Sequence, residues 1–287
     1  MSKIKISLAQ VTSGRQVDAN LKKIEEFAKA AKKDGAHILA LPENFGYFGN
    51  EQEKLSERET ISTEIEKALF QFAKSHSLFI LGGGYPTVDE KSNRVFNTAT
   101  CFSPDGTKIF TYRKIHLFDS NPGDGTVYQE SNSTSKGMEM PSIFSIPEKE
   151  SFRFSSVICY DVRFGELFRE LTLVKRANAI FVPAAFAEVT GKAHWEVLLR
   201  ARAIENQIYI LAPGQWGEHS AKRKTFGHSV AINPWGEIIQ MKPDGEGIFT
   251  VELDMEFLNQ VRKKLPAIQH VRIKMEFRDP MDLEFYI

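Results

Sequence analysis

The run His37-Ile-Leu-Ala-Leu41 narrows the possible folds more than any other stretch of the sequence. After His37 it is wholly apolar, and Gly35 and Pro42 bound it, as expected of a strand covered on both faces; such strands belong to parallel sheets lying between other layers. The preceding residues supply its partner. Ile4, Ile6 and Leu8 alternate with Lys5 and Ser7, and from Asp18 onward Leu21, Ile24, Phe27, Ala28 and Ala31 recur at helical spacing before Gly35 closes the helix. Strand, helix and strand in that order predict a parallel pair joined by a crossover. Pro42-Glu43 then falls just past the carboxyl end of the buried strand, the edge where open α/β sheets collect loops around a ligand.

The same alternation continues down the chain. Ile61, Ile65, Leu69 and Phe72 predict an inward helical stripe, and Leu78 to Leu81 a strand that ends at Gly82-Gly-Gly84. The glycine triplet lacks the spacing of a phosphate loop, and Pro86 follows too soon for a helix, so close backbone packing is its expected role. Asn97 to Phe102 and Lys108 to Arg113 flank Pro104-Asp-Gly106, a turn sequence, and predict a hairpin that delivers Arg113-Lys114-Ile-His116 at its end. The stretch 119–141 is rich in Gly, Ser, Asn and Thr and is long for a connection inside a compact domain, which marks it as a functional or a disordered loop. It carries Glu130.

Ser155 to Ile158 read as a short buried strand, and Arg163 onward as a helix with Leu167, Leu171 and Val174 on one side. Cys159 lies between them. A cysteine where a strand breaks into a helix sits near free N–H groups that favour a thiolate, which makes it a candidate nucleophile; the competing role is that of a small buried hydrophobe. Ala179 to Pro183 is a further strand. His194 to Asn206 is a helix sharing Trp195, Leu198, Leu199, Arg202 and Ala203 on one side, on which Arg200 and Arg202 are expected to serve the scaffold or an interface. Ile208 to Leu211, a hairpin around Pro234-Trp-Gly236, a strand from Ile248 to Leu253, and a last helix from Asp254 with Phe257, Leu258, Val261 and Leu265 complete the pattern. No composition break marks a linker. The expectation is one α/β domain over residues 1–287, with sheets packed face to face and helices outside.

Charge removes several classes of function. The 37 basic residues are balanced by 37 acidic ones, whereas a nucleic-acid binder needs a basic face for phosphates. No apolar run is long enough for a membrane span, and the period-two strand at the N-terminus leaves no room for a signal peptide. Two cysteines, Cys101 and Cys159, are too few for a disulfide framework and fit a reducing, cytoplasmic compartment. His194-Trp-Glu196 matches the H-x-E of zinc deaminases, but no P-C-x-x-C follows, and the seven scattered histidines predict no metal site. A papain-like Cys–His pairing lacks that fold's local signature.

Glu43, Lys114 and Cys159 all fall at the ends of predicted strands. Singly, each has an ordinary explanation as a loop carboxylate, a surface charge or a packed thiol. Together, base, cation and thiol form a complete acyl-transfer set.

These residues sit in segments that carry a family resemblance. Leu41-Pro-Glu-Asn-Phe45, Tyr112-Arg-Lys-Ile-His116 and Val157-Ile-Cys-Tyr-Asp-Val-Arg-Phe164 resemble, in order and spacing, the three signature segments of the nitrilase (carbon–nitrogen hydrolase) superfamily. The resemblance extends over nearly the whole chain. It implies a four-layer αββα sandwich of two mixed sheets, with Glu43 as general base, Lys114 as oxyanion stabiliser or acid, Cys159 as nucleophile, and Glu130 as a second glutamate supporting the lysine. Glu130-Ser-Asn-Ser-Thr134, the segment from Gly191 to Asn206 and Gly227-His-Ser229 are similar to the branch of deaminated-glutathione amidases and ω-amidases. The resemblance therefore implies a thiol-dependent amidase for a small linear amide, with no cofactor, acting as a homodimer or higher homo-oligomer. Nitrile or N-carbamoyl-amine hydrolysis, and a noncatalytic scaffold, are the alternatives. For substrate contacts, the Tyr160 N–H is expected at the oxyanion. Arg163 is expected either to pair with a substrate carboxylate or to form a structural ion pair with Asp161 or Glu166. Phe186 and Thr190 are expected to line the crevice or to pack as ordinary loop residues. One departure is Gly165, where the family places proline; glycine loosens the first helical turn.

Overall fold

A computed structural model describes residues 3–123, 125–147, 149–221 and 223–273. In chain order the elements begin with strand β1 (Lys3–Val11), helix α1 (Val17–Lys33), β2 (Ile38–Ala40), helices α2 (Glu51–Ser56) and α3 (Arg58–His76), β3 (Phe79–Val88), β4 (Val95–Phe102) and β5 (Lys108–Arg113). The loop region holds the two-residue strands β6 (Asp119–Ser120), β7 (Tyr128–Gln129) and β8 (Thr134–Ser135). Then come β9 (Phe154–Ser156), α4 (Gly165–Leu173), β10 (Ala179–Phe181), α5 (Glu188–Asn206), β11 (Tyr209–Ala212), β12 (Gly214–Ser220) and β13 (Arg223–Phe226). The described chain closes with β14 (Ser229–Ile232), β15 (Ile238–Lys242), β16 (Gly247–Asp254) and α6 (Met255–Lys264).

Two mixed sheets result. The larger runs β13-β12-β1-β2-β3-β4-β5, with β16 also pairing to β1 and β8 to β4; the smaller runs β15-β14-β11-β10-β9. The β1–β2 and β2–β3 pairs are parallel, as the strand–helix–strand order predicts, while β3–β4–β5 is an antiparallel meander. Period-two alternation sorts the side chains of the larger sheet. Ile4, Ile6, Leu8, Ile38, Ala40 and Leu81 join one core with Phe154, Ile180, Phe181 and Leu211 of the smaller sheet. Val11, Leu39, Leu41 and Ile80 turn the other way, into a core with Leu21, Ile24, Ile65 and Leu69 of α1 and α3. A one-residue slip of β2 would exchange these two sets, so register is strongly specified here.

Several expectations change in detail. Strand β3 does not stop at Leu81 but continues through the glycine triplet and Pro86 to Val88. The triplet is a packing device: a Cβ on Gly83 would stand 1.9 Å from the Leu41 carbonyl oxygen and 2.4 Å from Cβ of Pro183. Helix α5 starts at Glu188, six residues before His194, and runs through Gly191, where Phe226 presses on the helix; a Cβ there would meet that ring at 2.4 Å. Val174 and Leu265 are exposed, since each lies just past the end of its helix and its chain has already turned away. The hairpin β12–β13 has no counterpart in the hydrophobic pattern, its sequence being mostly polar.

Candidate active site

The three strand-end residues meet in one place. Glu43 follows β2 by three residues, Lys114 follows β5 directly, and Cys159 follows β9; all three are buried and line a cavity of about 380 Å³. Glu130, Tyr160, Arg163, Phe186 and Thr190 line the same cavity. Every site residue expected from the sequence is therefore brought to a single pocket.

Glu43 is held by three donors. Its Oε1 accepts from Lys114 Nζ at 3.1 Å and from Asn97 Nδ2 at 2.8 Å, and its Oε2 accepts from the Ala185 N–H at 2.9 Å. Lys114 also donates to Glu130 Oε2 at 2.8 Å, and that oxygen accepts in addition from the Phe118 N–H at 2.8 Å. Asn97 Nδ2 reaches Glu130 Oε1 at 3.2 Å, so one amide joins the two carboxylates.

Charge settles accordingly. Burial alone would push the Glu43 carboxyl up, but the Lys114 ammonium, the Cys159 thiol and the Ala185 N–H together hold it below its ordinary value. Burial would push Lys114 down, yet Glu130, Glu43 and Cys159 keep it well above its ordinary value. The Cys159 thiol is pushed well up, by burial first and by the Glu43 charge next. The resting site is thus an ionised glutamate and lysine beside a neutral thiol, which needs a base at the moment of attack.

The cysteine stands on a strained turn. Its φ is +48°, a left-handed value that costs energy in any residue but glycine. A 3₁₀ turn, Cys159–Arg163, separates it from α4, so the helix begins at Gly165 and not at Arg163. The Cys159 N–H donates to the Pro183 carbonyl at 2.9 Å. Asp161 fixes the turn from within: its carboxylate accepts from the Ile158 N–H at 2.8 Å, the Tyr112 hydroxyl at 2.8 Å and the His116 N–H at 3.2 Å, and meets His116 Nδ1 at 2.7 Å. Tyr112 and His116 flank Lys114, so one buried carboxylate sets the lysine segment against the cysteine turn.

Arg163 forms no ion pair with Asp161 or Glu166; the first is occupied as described. Its guanidinium lies 3.3 Å from His194 Nδ1, over the rings of Tyr160 and Phe186. The looseness expected at Gly165 is countered by Arg202, which donates to the carbonyls of Val162 and Arg163 and would lie 3.1 Å from a Cβ on that glycine. Arg202 and Arg200, whose Nε donates to the Gly236 carbonyl at 2.9 Å, are scaffold residues here. Asn97, Asp161, Lys54 and Arg223 are site residues that sequence reasoning missed; all but Asp161 also line the cavity. Among the described residues, no group of three His, Cys, Asp or Glu side chains is placed to hold a metal ion.

An α/β protein that gathers carboxylate, ammonium and thiol in one cavity has the build of an acyl-transfer enzyme. The sequence profile of the carbon-nitrogen hydrolases matches residues 5–263, and the chain belongs to that family. It is 42% identical over 263 residues to the deaminated glutathione amidase of Synechocystis (91% of this chain, 95% of the relative) and 35% identical over 272 residues to the omega-amidase NIT2 of Xenopus tropicalis (93% and 94%). The NitFhit protein of C. elegans superposes with a TM-score of 0.88 at 32% identity, covering 95% of this chain but only 66% of that longer one. This chain is accordingly a hydrolase of carbon–nitrogen bonds other than peptide bonds.

Proposed function

We propose that this enzyme is a thiol-dependent amidase that hydrolyses a small linear amide, deaminated glutathione or an α-keto acid ω-amide, through a thioester on Cys159. Glu43 takes the thiol proton as the sulfur attacks the amide carbonyl. Lys114 Nζ and the Tyr160 N–H hold the resulting oxyanion, while Glu130 keeps Lys114 charged and in place. The intermediate collapses, the C–N bond breaks, and Glu43 returns its proton to the departing amine, which is ammonia when the substrate is a primary amide. Water then attacks the thioester with Glu43 again as base, releasing the acid and the thiol. Arg163 pairs with a substrate carboxylate in this reading, with Phe186 and Thr190 as walls.

The observation that carries this reading is the hydrogen-bonded Glu43–Lys114–Glu130 chain in the same cavity as Cys159. The amidase names of the two curated relatives favour amides over nitriles and carbamoyl amines, and an intact catalytic set disfavours a noncatalytic scaffold. Ammonia release from α-ketoglutaramate by wild type and Cys159→Ala tests it: the variant should lose at least about a thousandfold in kcat, and wild-type turnover by the variant would end the proposal.

Coarser features are read the same way. The core shared by the two sheets and the second core under α1 and α3 support a four-layer αββα sandwich, and the profile match across most of the chain supports one carbon–nitrogen hydrolase domain over residues 1–287. Two unpaired cysteines support a cytoplasmic location. Val189, Val197 and Ile204 form an exposed apolar stripe along α5, and with the exposed Val174 at the end of α4 they support a homodimer formed near the nucleophile.

A further inference from the structure

The walls of the cavity carry more positive charge than catalysis uses. Glu43, Glu130 and Lys114 neutralise one another down to a single negative charge. The remaining ionic groups on the wall are Lys54, Arg163 and Arg223, against one carboxylate, Glu51. Arg163 is already accounted for as a partner of one substrate carboxylate, and the other two cations stand elsewhere. Arg163 lies over Tyr160 and Phe186, whereas the Arg223 guanidinium lies over Phe48 and Tyr128, 5.5 and 4.5 Å from the ring centroids. The two arginines thus occupy different aromatic walls of one pocket.

Among the described residues, neither Lys54 nor Arg223 makes an ion pair. Lys54 is half-buried on α2, and among the described residues its ammonium makes no ion pair or hydrogen bond. Burial pushes that ammonium down; Glu51 and Glu130 oppose this and Lys114 adds to it. Arg223 donates from Nη2 to the Ala185 carbonyl at 3.1 Å, and its buried Nε has no partner. A buried donor and a desolvated ammonium on the wall of a substrate cavity are each stabilised when an anion arrives, and a planar carboxylate suits the guanidinium fork.

Resting on the amidase reading above, we propose that Lys54 and Arg223 form a second carboxylate subsite, so that the preferred amide bears a carboxylate on each side of the scissile bond. The two relatives' substrates differ in this respect. Deaminated glutathione has a carboxylate beside its ketone and another on its glycine, while an α-keto acid ω-amide has only the first. The subsite therefore selects the larger, dianionic amide by its distal carboxylate.

The test compares deaminated glutathione with its glycine methyl ester, which removes the distal charge at the cost of one added methyl group. Binding is measured by calorimetry on Cys159→Ala protein, alone and combined with Lys54→Gln or Arg223→Gln. The acid should bind at least about tenfold more tightly than the ester to the parent, roughly what one well-placed ion pair contributes, and each added substitution should bring the ratio toward one. A residue serving only the scaffold would weaken acid and ester equally. A parent ratio near one, or a ratio unmoved by both substitutions, would overturn the subsite. Wild-type turnover of deaminated glutathione separates the two ideas: turnover without discrimination sinks the subsite alone, and failure to hydrolyse either deaminated glutathione or α-ketoglutaramate sinks the amidase reading with it.

Discussion

Asp161 shows how much of the site depends on a side chain outside the reacting set. Its carboxylate is fully buried and is met by donors from the cysteine turn and from both sides of Lys114. Removing one partner of such a buried charged group leaves several donors unpaired, so Asp161→Ala should lower unfolding stability by about 3 kcal/mol or more in a urea titration, with turnover falling in the protein that still folds. A change under 1 kcal/mol would mean that the cysteine turn holds its shape without this carboxylate. Glu43 gives a second prediction at this scale. It can act as base only when ionised, and its carboxyl is held below the ordinary value of 4.5. Activity should therefore be level from neutral pH down through the ordinary carboxylate range and should fall only below it, as protons reach Glu43. The thiol moves the other way. Alkylation of Cys159 in the free enzyme should still be climbing above pH 9, because burial and the Glu43 charge push that thiol well above its usual 9.0. An acid limb in kcat/KM centred above 4.5 would contradict the assignment.

Among the elements, β3 and the cysteine turn set the geometry of the cavity. The glycines of β3 let the strand lie against the chain just before Glu43, and Gly83 has no room for even one methyl group. Gly83→Ala should therefore either prevent folding or displace Pro42-Glu43; soluble protein with wild-type activity and melting temperature would refute the close approach. The elements were legible in the sequence where hydrophobic period alone decides them: β1, α1, β2, the β4–β5 hairpin, and the positions of Glu43, Lys114 and Cys159 at strand ends. Elements whose cause lies elsewhere in the chain were not. Gly191 in α5 weakens the local helical pattern yet leaves room for Phe226, and β12–β13, which pairs with β1 and carries Arg223 to the cavity, is mostly polar. Asn97 and Asp161 escaped notice for the same reason. Apart from the Ile158 N–H that Asp161 meets within its own turn, their partners lie 33 to 54 residues away, so no local spacing announces their link to the site. Arg163 was the converse case, since its near neighbours in sequence, Asp161 and Glu166, are not its partners in space.

For the whole molecule, two cores on opposite faces of one sheet hold together three loops that come from distant parts of the chain. The exposed stripe on α5 adds a prediction at this scale: sedimentation at micromolar concentration should give about twice the 32.5 kDa of one chain, and Val197→Glu should shift the protein toward the monomer. A wild-type monomer would remove the dimer. The central claim, that carbon–nitrogen cleavage passes through a covalent bond to Cys159, is most directly checked by acid-quenching the enzyme during turnover of α-ketoglutaramate and mapping its peptides by mass spectrometry. The expected result is an acyl adduct on the peptide containing Cys159 and none on the buried Cys101. Steady ammonia release with no adduct at Cys159, under conditions where a thioester survives the quench and water attack limits the rate, would contradict it.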